Sequence, residues 1–208
     1  MSIPKHKIFI SYHHSNDQAY KELLLQWNEN NNFDIFTDVS VDTGDIDDSL
    51  SDESIRQKIR DEYLRDSTVT MLLVGTETKN RKHVDWEVYS SMFDGTVNKK
   101  SGVLVIQLPS TGCTTYTAAH GAEEKELLYS DNTSWVSVTE RTEYESRYPY
   151  VPQRIVDNLL KSDAMVSIAN WDTITASPEK LKLMIDLTFR AKGICNYDLS
   201  RPMRRANS

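Results

Sequence analysis

The chain has 208 residues, of which 38% are hydrophobic and 26% charged, the profile of an ordinary globular domain large enough to bury one core. Its formal net charge of −7 argues against broad binding to nucleic acid or to an anionic membrane surface, since both need a basic footprint. No stretch approaches the run of about 20 apolar residues that a membrane helix needs, and the N-terminus lacks the apolar core of a signal peptide, so the chain reads as cytoplasmic.

Lys7-Ile8-Phe9-Ile10-Ser11-Tyr12 reads as an opening strand that runs into the polar cluster His13-His14-Ser15-Asn16-Asp17. Tyr20, Leu23, Leu24 and Trp27 then fall at helical spacing, with Asn16 or Asp17 as the expected cap and the asparagine run 28–32 as the stop. A second short strand is expected at Phe33-Asp34-Ile35-Phe36, followed by a long acidic loop over 38–52 that contains Gly44. A helix begins near Ser51, with Ile55, Ile59, Tyr63 and Leu64 as its buried stripe. Val69–Val74 is almost continuously apolar, the pattern of a central parallel strand covered on both faces, and it stops at Gly75. A short helix follows over 84–93, then a buried strand over 103–106.

Residues 109–150 form an insert with a helix expected at 122–128 and a short strand at 135–138. A helix at 152–161 and a last core strand at 165–169 follow. Ser177-Pro178-Glu179 opens a final helix, proline at the first helical position being pre-organised for it. Residues 1–195 are read as one domain and 196–208 as a polar basic tail, loose from about Arg201. The alternation predicts a flavodoxin-like three-layer α/β sandwich: a mostly parallel five-stranded sheet with helices on both faces.

In such sheets ligands bind beyond the carboxyl ends of the strands. That places Ser11-Tyr12-His13-His14, Thr37-Asp38, Gly75-Thr76-Glu77 and Gln107 at the expected site. The first strand ends without the glycine-rich turn of a dinucleotide fold, and no GKS or GKT phosphate loop exists, so redox use of NAD and P-loop chemistry are disfavoured. The two cysteines, Cys113 and Cys195, make no CxxC pair and read as free thiols. His13 and His14 are adjacent on a loop with no further ligand at metal spacing, and the acids Asp42, Asp45, Asp47, Asp48 and Asp52 do not follow a calcium-loop pattern, so no metal is expected.

Phe9-Ile10-Ser11-Tyr12 with its polar-acidic sequel resembles the first box of TIR domains, and the loop 38–52 lies where those domains carry their BB loop. The helix after the third strand carries Arg81-Lys82-His83-Val84-Asp85-Trp86-Glu87. Catalytic TIR domains carry a glutamate on this helix, commonly four residues after a tryptophan. Here Glu87 keeps the glutamate, His83 stands at the tryptophan position, and Trp86 adjoins the acid. Together with Asn170-Trp171 and the segment 152–161, the chain is similar to the bacterial TIR-like branch that includes the ThsB proteins of Thoeris antiphage defence. The likeness extends in element order over roughly residues 6–192.

The resemblance implies cleavage of NAD+ as a substrate, with Glu87 as the catalytic carboxylate and Phe9, Ser11, Tyr12, Asp38, Ser40 and Trp86 as candidate substrate contacts. It also implies a cyclic or conjugated ADP-ribose signal that diffuses to a separate effector, ThsA, and self-association of TIR surfaces. Trp86 reads equally as a core residue, Ser11 as a turn-forming serine, and Phe9 as a core residue of the strand. A non-catalytic TIR interaction module is the competing function. A flavodoxin-like FMN protein or phosphate receiver is a third, weakened because the third strand ends Leu73-Val74-Gly75 without an acceptor aspartate.

Overall fold

The computed structural model describes residues 3–40, 47, 49–96 and 98–207. Five parallel strands, β1 (Lys7–Ser11), β2 (Thr37–Asp38), β3 (Val69–Val74), β4 (Gly102–Gln107) and β5 (Ser167–Asn170), lie in the order β2-β1-β3-β4-β5. This is the doubly wound, flavodoxin-like order, in which the winding reverses between β1 and β3. Every residue of β3 and β4 is buried, which is why both strands read as unbroken apolar runs.

One face of the sheet packs under α1 (His14–Asn30) and α8 (Pro178–Ala191), joining Ile8, Ile10, Met71, Leu104 and Ile106 to Leu24, Leu181 and Met184. The other face lies under α2 (Asp52–Lys58), α3 (Lys82–Met92), α5 (Arg141–Arg147) and α6 (Gln153–Leu159). There Leu72, Val74, Val103 and Val105 meet Val84, Val88, Ile155 and Val156. Phe9, Ile55, Ile59 and Trp86 form an adjoining cluster on this side. The remaining helices are α4 (Ala122–Leu128) and α7 (Trp171–Thr175). No described helix is long and apolar enough to cross a membrane.

Ser51 and Ser177 cap α2 and α8 by accepting from the N–H of Ser54 and of Lys180. Several expectations need correction. Neither Asn16 nor Asp17 caps α1; both lie inside its first turn after His13, and Asp17 turns inward. Leu23 is 51% exposed, so the buried stripe of α1 runs through Leu24 and Asn28 instead. Asn28 holds the chain beyond the helix through Phe36 O and the N–H groups of Ile35 and Phe36.

The second strand starts later than Phe33, because Asn32 and Phe33 adopt left-handed backbone (φ 56° and 55°) and only Thr37 and Asp38 pair with β1. Residues 135–138 form no strand; the partner of the sheet edge is Thr117, bridged antiparallel to Ile168. The last strand sits two residues later than 165, and α5 and α7 are helices that periodicity alone did not reveal. The tail is irregular but packed. Met203 is buried against Phe9, Ile55 and Trp86, Arg201 pairs with Asp157, and the Asn207 side chain accepts from Lys82 N at the start of α3. The acids Asp42, Asp45 and Asp48, with Gly44, lie outside the described residues.

Candidate active site

The winding reverses between β1 and β3, and it is beyond the carboxyl ends of such a strand pair that doubly wound sheets bind ligands. Side chains on β1 alternate, so Ile8, Ile10 and Tyr12 face α1 and α8 whereas Phe9 and Ser11 face α2 and α3. Ser11, the last strand residue, reaches the middle of α3. Its hydroxyl donates to Glu87 Oε2 at 2.6 Å. Glu87 is 3% exposed and its own carbonyl accepts from Ser91 Oγ at 2.8 Å. A carboxyl group so deep is tolerated only when hydrogen-bonded, and Ser11 supplies one such bond.

The turn from β3 to α3 sets where Glu87 arrives. Gly75 ends β3, and its N–H donates to Thr78 Oγ1 at 2.8 Å. A Cβ on Gly75 would stand 2.3 Å from Asp17 Oδ1, so only glycine admits the approach of α1. Asp17 is buried beside it, and that burial pushes its carboxyl up against the opposing hydrogen bond from Thr78. His13 is held below its ordinary value by burial first and by Arg81 second, and its Nδ1 has no hydrogen-bond partner among the described residues.

On the neighbouring strand Ser40 Oγ accepts from Ile10 N at 2.8 Å and donates to Asp38 Oδ1 at 2.6 Å. Ser40 thus continues the pairing with β1 after β2 has ended, and fixes the start of the acidic loop one residue from Ser11. The structure therefore brings together Ser11 and Glu87, with Ser40 bonded to Ile10 one residue away, whereas Asp38 pairs with Ile8 and is linked to this region only through Ser40.

The other candidates are dispersed. Trp86 is fully buried with Phe9 and Met203 and donates its indole N–H to Arg204 O at 2.8 Å, so neither Trp86 nor Phe9 offers a ring face to a ligand; both are core residues. Tyr12 points to the opposite face of the sheet, donates to Gln18 Oε1 at 2.5 Å and stacks on His14. Gln107 is engaged by the insert, donating to Thr115 O at 2.7 Å. A groove of about 1030 Å³ lies along α1 and the β2 edge and touches Asp38, but neither Ser11 nor Glu87 lines it.

Asp17 and Thr78 were missed as parts of this region, although the glycine ending an apolar strand marked the close approach that they make. Asp85 was missed too: buried Arg154 grips it through Nε and Nη2 at 2.9 and 3.0 Å, which anchors α3 two residues before Glu87.

The family model of the Thoeris protein ThsB TIR-like domain matches residues 9–112, half of the chain and the part that holds both Ser11 and Glu87. No curated protein and no solved structure matches. A doubly wound sheet, a buried Ser–Glu pair at its switch point and this match agree: the chain belongs to the ThsB TIR-like family of the Thoeris defence system.

Proposed function

We propose that this chain cleaves the bond between nicotinamide and ribose in NAD+ and builds a cyclic or conjugated ADP-ribose that signals to a ThsA-type effector. The observation that carries the reading is the Ser11–Glu87 pair at the topological switch point. Glycosidic cleavage passes through an oxocarbenium-like state, and a carboxylate beside the ribose offsets the developing positive charge. Nicotinamide leaves as a neutral ring from a cationic substrate, so no general acid is required, and a single carboxylate suffices. Ser11 holds one oxygen of Glu87 in place, which leaves the carboxylate oriented before substrate arrives. A site closed to water would favour capture of the ribosyl carbon by another part of the nucleotide.

The test is nicotinamide release from NAD+ by purified protein, with lysate from phage-infected cells added as trigger. Glu87→Gln is expected to keep the fold and lose release; unchanged turnover in that variant removes the reading. The burial of Glu87 favours one competitor, an interaction module that meets other TIR surfaces without chemistry. That competitor requires no nicotinamide from the wild-type chain under any trigger.

A further inference from the structure

At the opposite end of the sheet, before β3 and β4 begin, a cavity of about 420 Å³ is lined by Arg56, Arg60, Asp61, Phe93, Asp94 and Asn98, among others. Arg60 sits in a π-helical turn, Ile59–Tyr63, that extends α2. Widened turns of this kind recur at functional sites. Its side chain is 4% exposed. Nη1 reaches only Ser101 Oγ, at a long 3.4 Å, and Nε has no partner. No carboxylate among the described residues forms an ion pair with it.

Asp61 and Asp94 are close enough to attract Arg60 through space, but the hydrogen bonds and ion pairs of the neighbouring charges go to other groups. Arg56 is held by Glu53 and lies over the Phe93 ring at 3.8 Å. Asp61 accepts from Asn98 at 2.5 Å, and Asp94 faces Lys99 and Lys100 at 4.0 and 3.8 Å. Burial still outweighs that attraction, since Arg60 is held below its ordinary value by desolvation, and a fork of N–H donors without a hydrogen-bonded carboxylate suits an oxyanion geometrically.

We propose that this cavity binds a small phosphoryl oxyanion, inorganic phosphate or a compact phosphomonoester, with Arg60 as its principal ligand. The volume exceeds what a bare ion needs and falls within the range of small-molecule sites. The carboxylates of Glu53, Asp61 and Asp94 at its lining repel a polyanion, which favours a single compact phosphoryl group, in its monoanionic form above all, over nucleic acid. Ser101, bonded in turn to Ser67 Oγ at 3.2 Å, provides a hydroxyl beside the guanidinium.

The cavity shares no lining residue with the Ser11–Glu87 pair and its test reads anion binding, so it stands or falls apart from NAD+ turnover. Thermal melting and titration calorimetry with inorganic phosphate and with glycerol phosphate, against sodium chloride at equal ionic strength, separate the free ion from the ester. The wild-type melting temperature is expected to rise by about 3–6 °C at tenfold over Kd. Arg60→Met is expected to melt no lower than wild type without phosphate, since it removes an unpaired buried charge, and to show no phosphate response. No wild-type response, which is what a cavity filled by water alone would give, overturns the proposal. So does an equal response in Arg60→Met. Should that variant not fold, Thr96→Glu adds a charge at an exposed lining position and is expected to weaken phosphate about tenfold. Unchanged affinity there places the anion elsewhere and overturns the proposal as well.

Discussion

Ser11 at the end of β1 and Glu87 on α3, 76 residues apart in the chain, meet at 2.6 Å. Removing the hydroxyl leaves a buried carboxylate oxygen short of its donor. Ser11→Ala is expected to lower stability by about 1–3 kcal/mol. On the proposed reaction it also lowers nicotinamide release by up to about 100-fold, because the carboxylate loses its fixed orientation. Thermal melting and a nicotinamide assay read the two effects separately. A variant with wild-type turnover would take Ser11 out of the site and leave it a structural residue.

Gly75 admits Asp17 because it has no side chain. In Gly75→Ala the methyl group would press on the Asp17 carboxylate at 2.3 and 2.5 Å, and Asp17 is buried, so either α1 or the turn before α3 must shift. The expected cost is about 1–3 kcal/mol. Because the same turn delivers α3, turnover should fall with it. The double variant Gly75→Ala with Asp17→Ala relieves the overlap, and a melting temperature no higher than that of Gly75→Ala alone would refute this account of the contact.

How much of this was legible depended on whether the signal was local. Val69–Val74 announces a doubly covered strand by composition, and Ser177-Pro178 announces a helix start by cap chemistry; both are where expected. The second strand was misplaced because two residues carry no periodicity and because Phe33, a good strand former, is in left-handed backbone on the surface. The arginines of the tail suggest a loose segment. Its fate is decided by partners far away in sequence: Asp157 for Arg201, Asp52 for Arg205, and the Phe9–Trp86 cluster for one methionine, Met203. The site divides the same way. Glu87 stands out in the sequence by likeness to a motif, and its role remains part of the proposal, whereas the inward turn of Trp86 follows from strand β1 presenting Phe9 to α3, a relation of register that one-dimensional spacing does not contain.

Within the insert, a buried carboxyl and a half-buried imidazole titrate in opposite senses. Glu124 is fully buried and pushed up to about 7 by that burial, against hydrogen bonds from His120 N and Ser167 Oγ. His120 is pushed down to about 4, again mainly by burial and then by Arg190. The raised carboxyl means that the folded state holds its proton longer than the unfolded chain, so Glu124 lowers stability as pH rises from about 4.5 to about 7. The depressed imidazole means that the folded state resists protonation, so His120 lowers stability as pH falls from 6.5 to about 4. The two slopes largely cancel in the wild type. Relative to wild type, Glu124→Gln is expected to gain about 3 kcal/mol on going from pH 4 to 7.5, and His120→Gln to gain about as much in the other direction. Denaturant melts across that range check both, and parallel curves for wild type and variants would show that neither group is linked to folding.

Arg154 ties three parts of the molecule together. It grips Asp85 on α3 at 2.9 and 3.0 Å, and donates to the carbonyls of Arg201 and Pro202 in the tail at 2.8 and 3.1 Å. Asp85 Oδ2 also accepts from Arg204 N at 2.8 Å, so tail and helix share one buried carboxylate. Arg154→Met leaves that carboxylate buried without its cation, which is expected to cost about 3–5 kcal/mol and lower the melting temperature by about 6–20 °C. The loss should be spread to function as well, because the tail carbonyl of Arg204 receives the Trp86 indole N–H one residue from Glu87. Adding Asp85→Leu removes the stranded charge, so the double variant is expected to recover at least half of the lost stability. A double variant no more stable than Arg154→Met would mean that the tail contacts, rather than the uncompensated carboxylate, carry the cost.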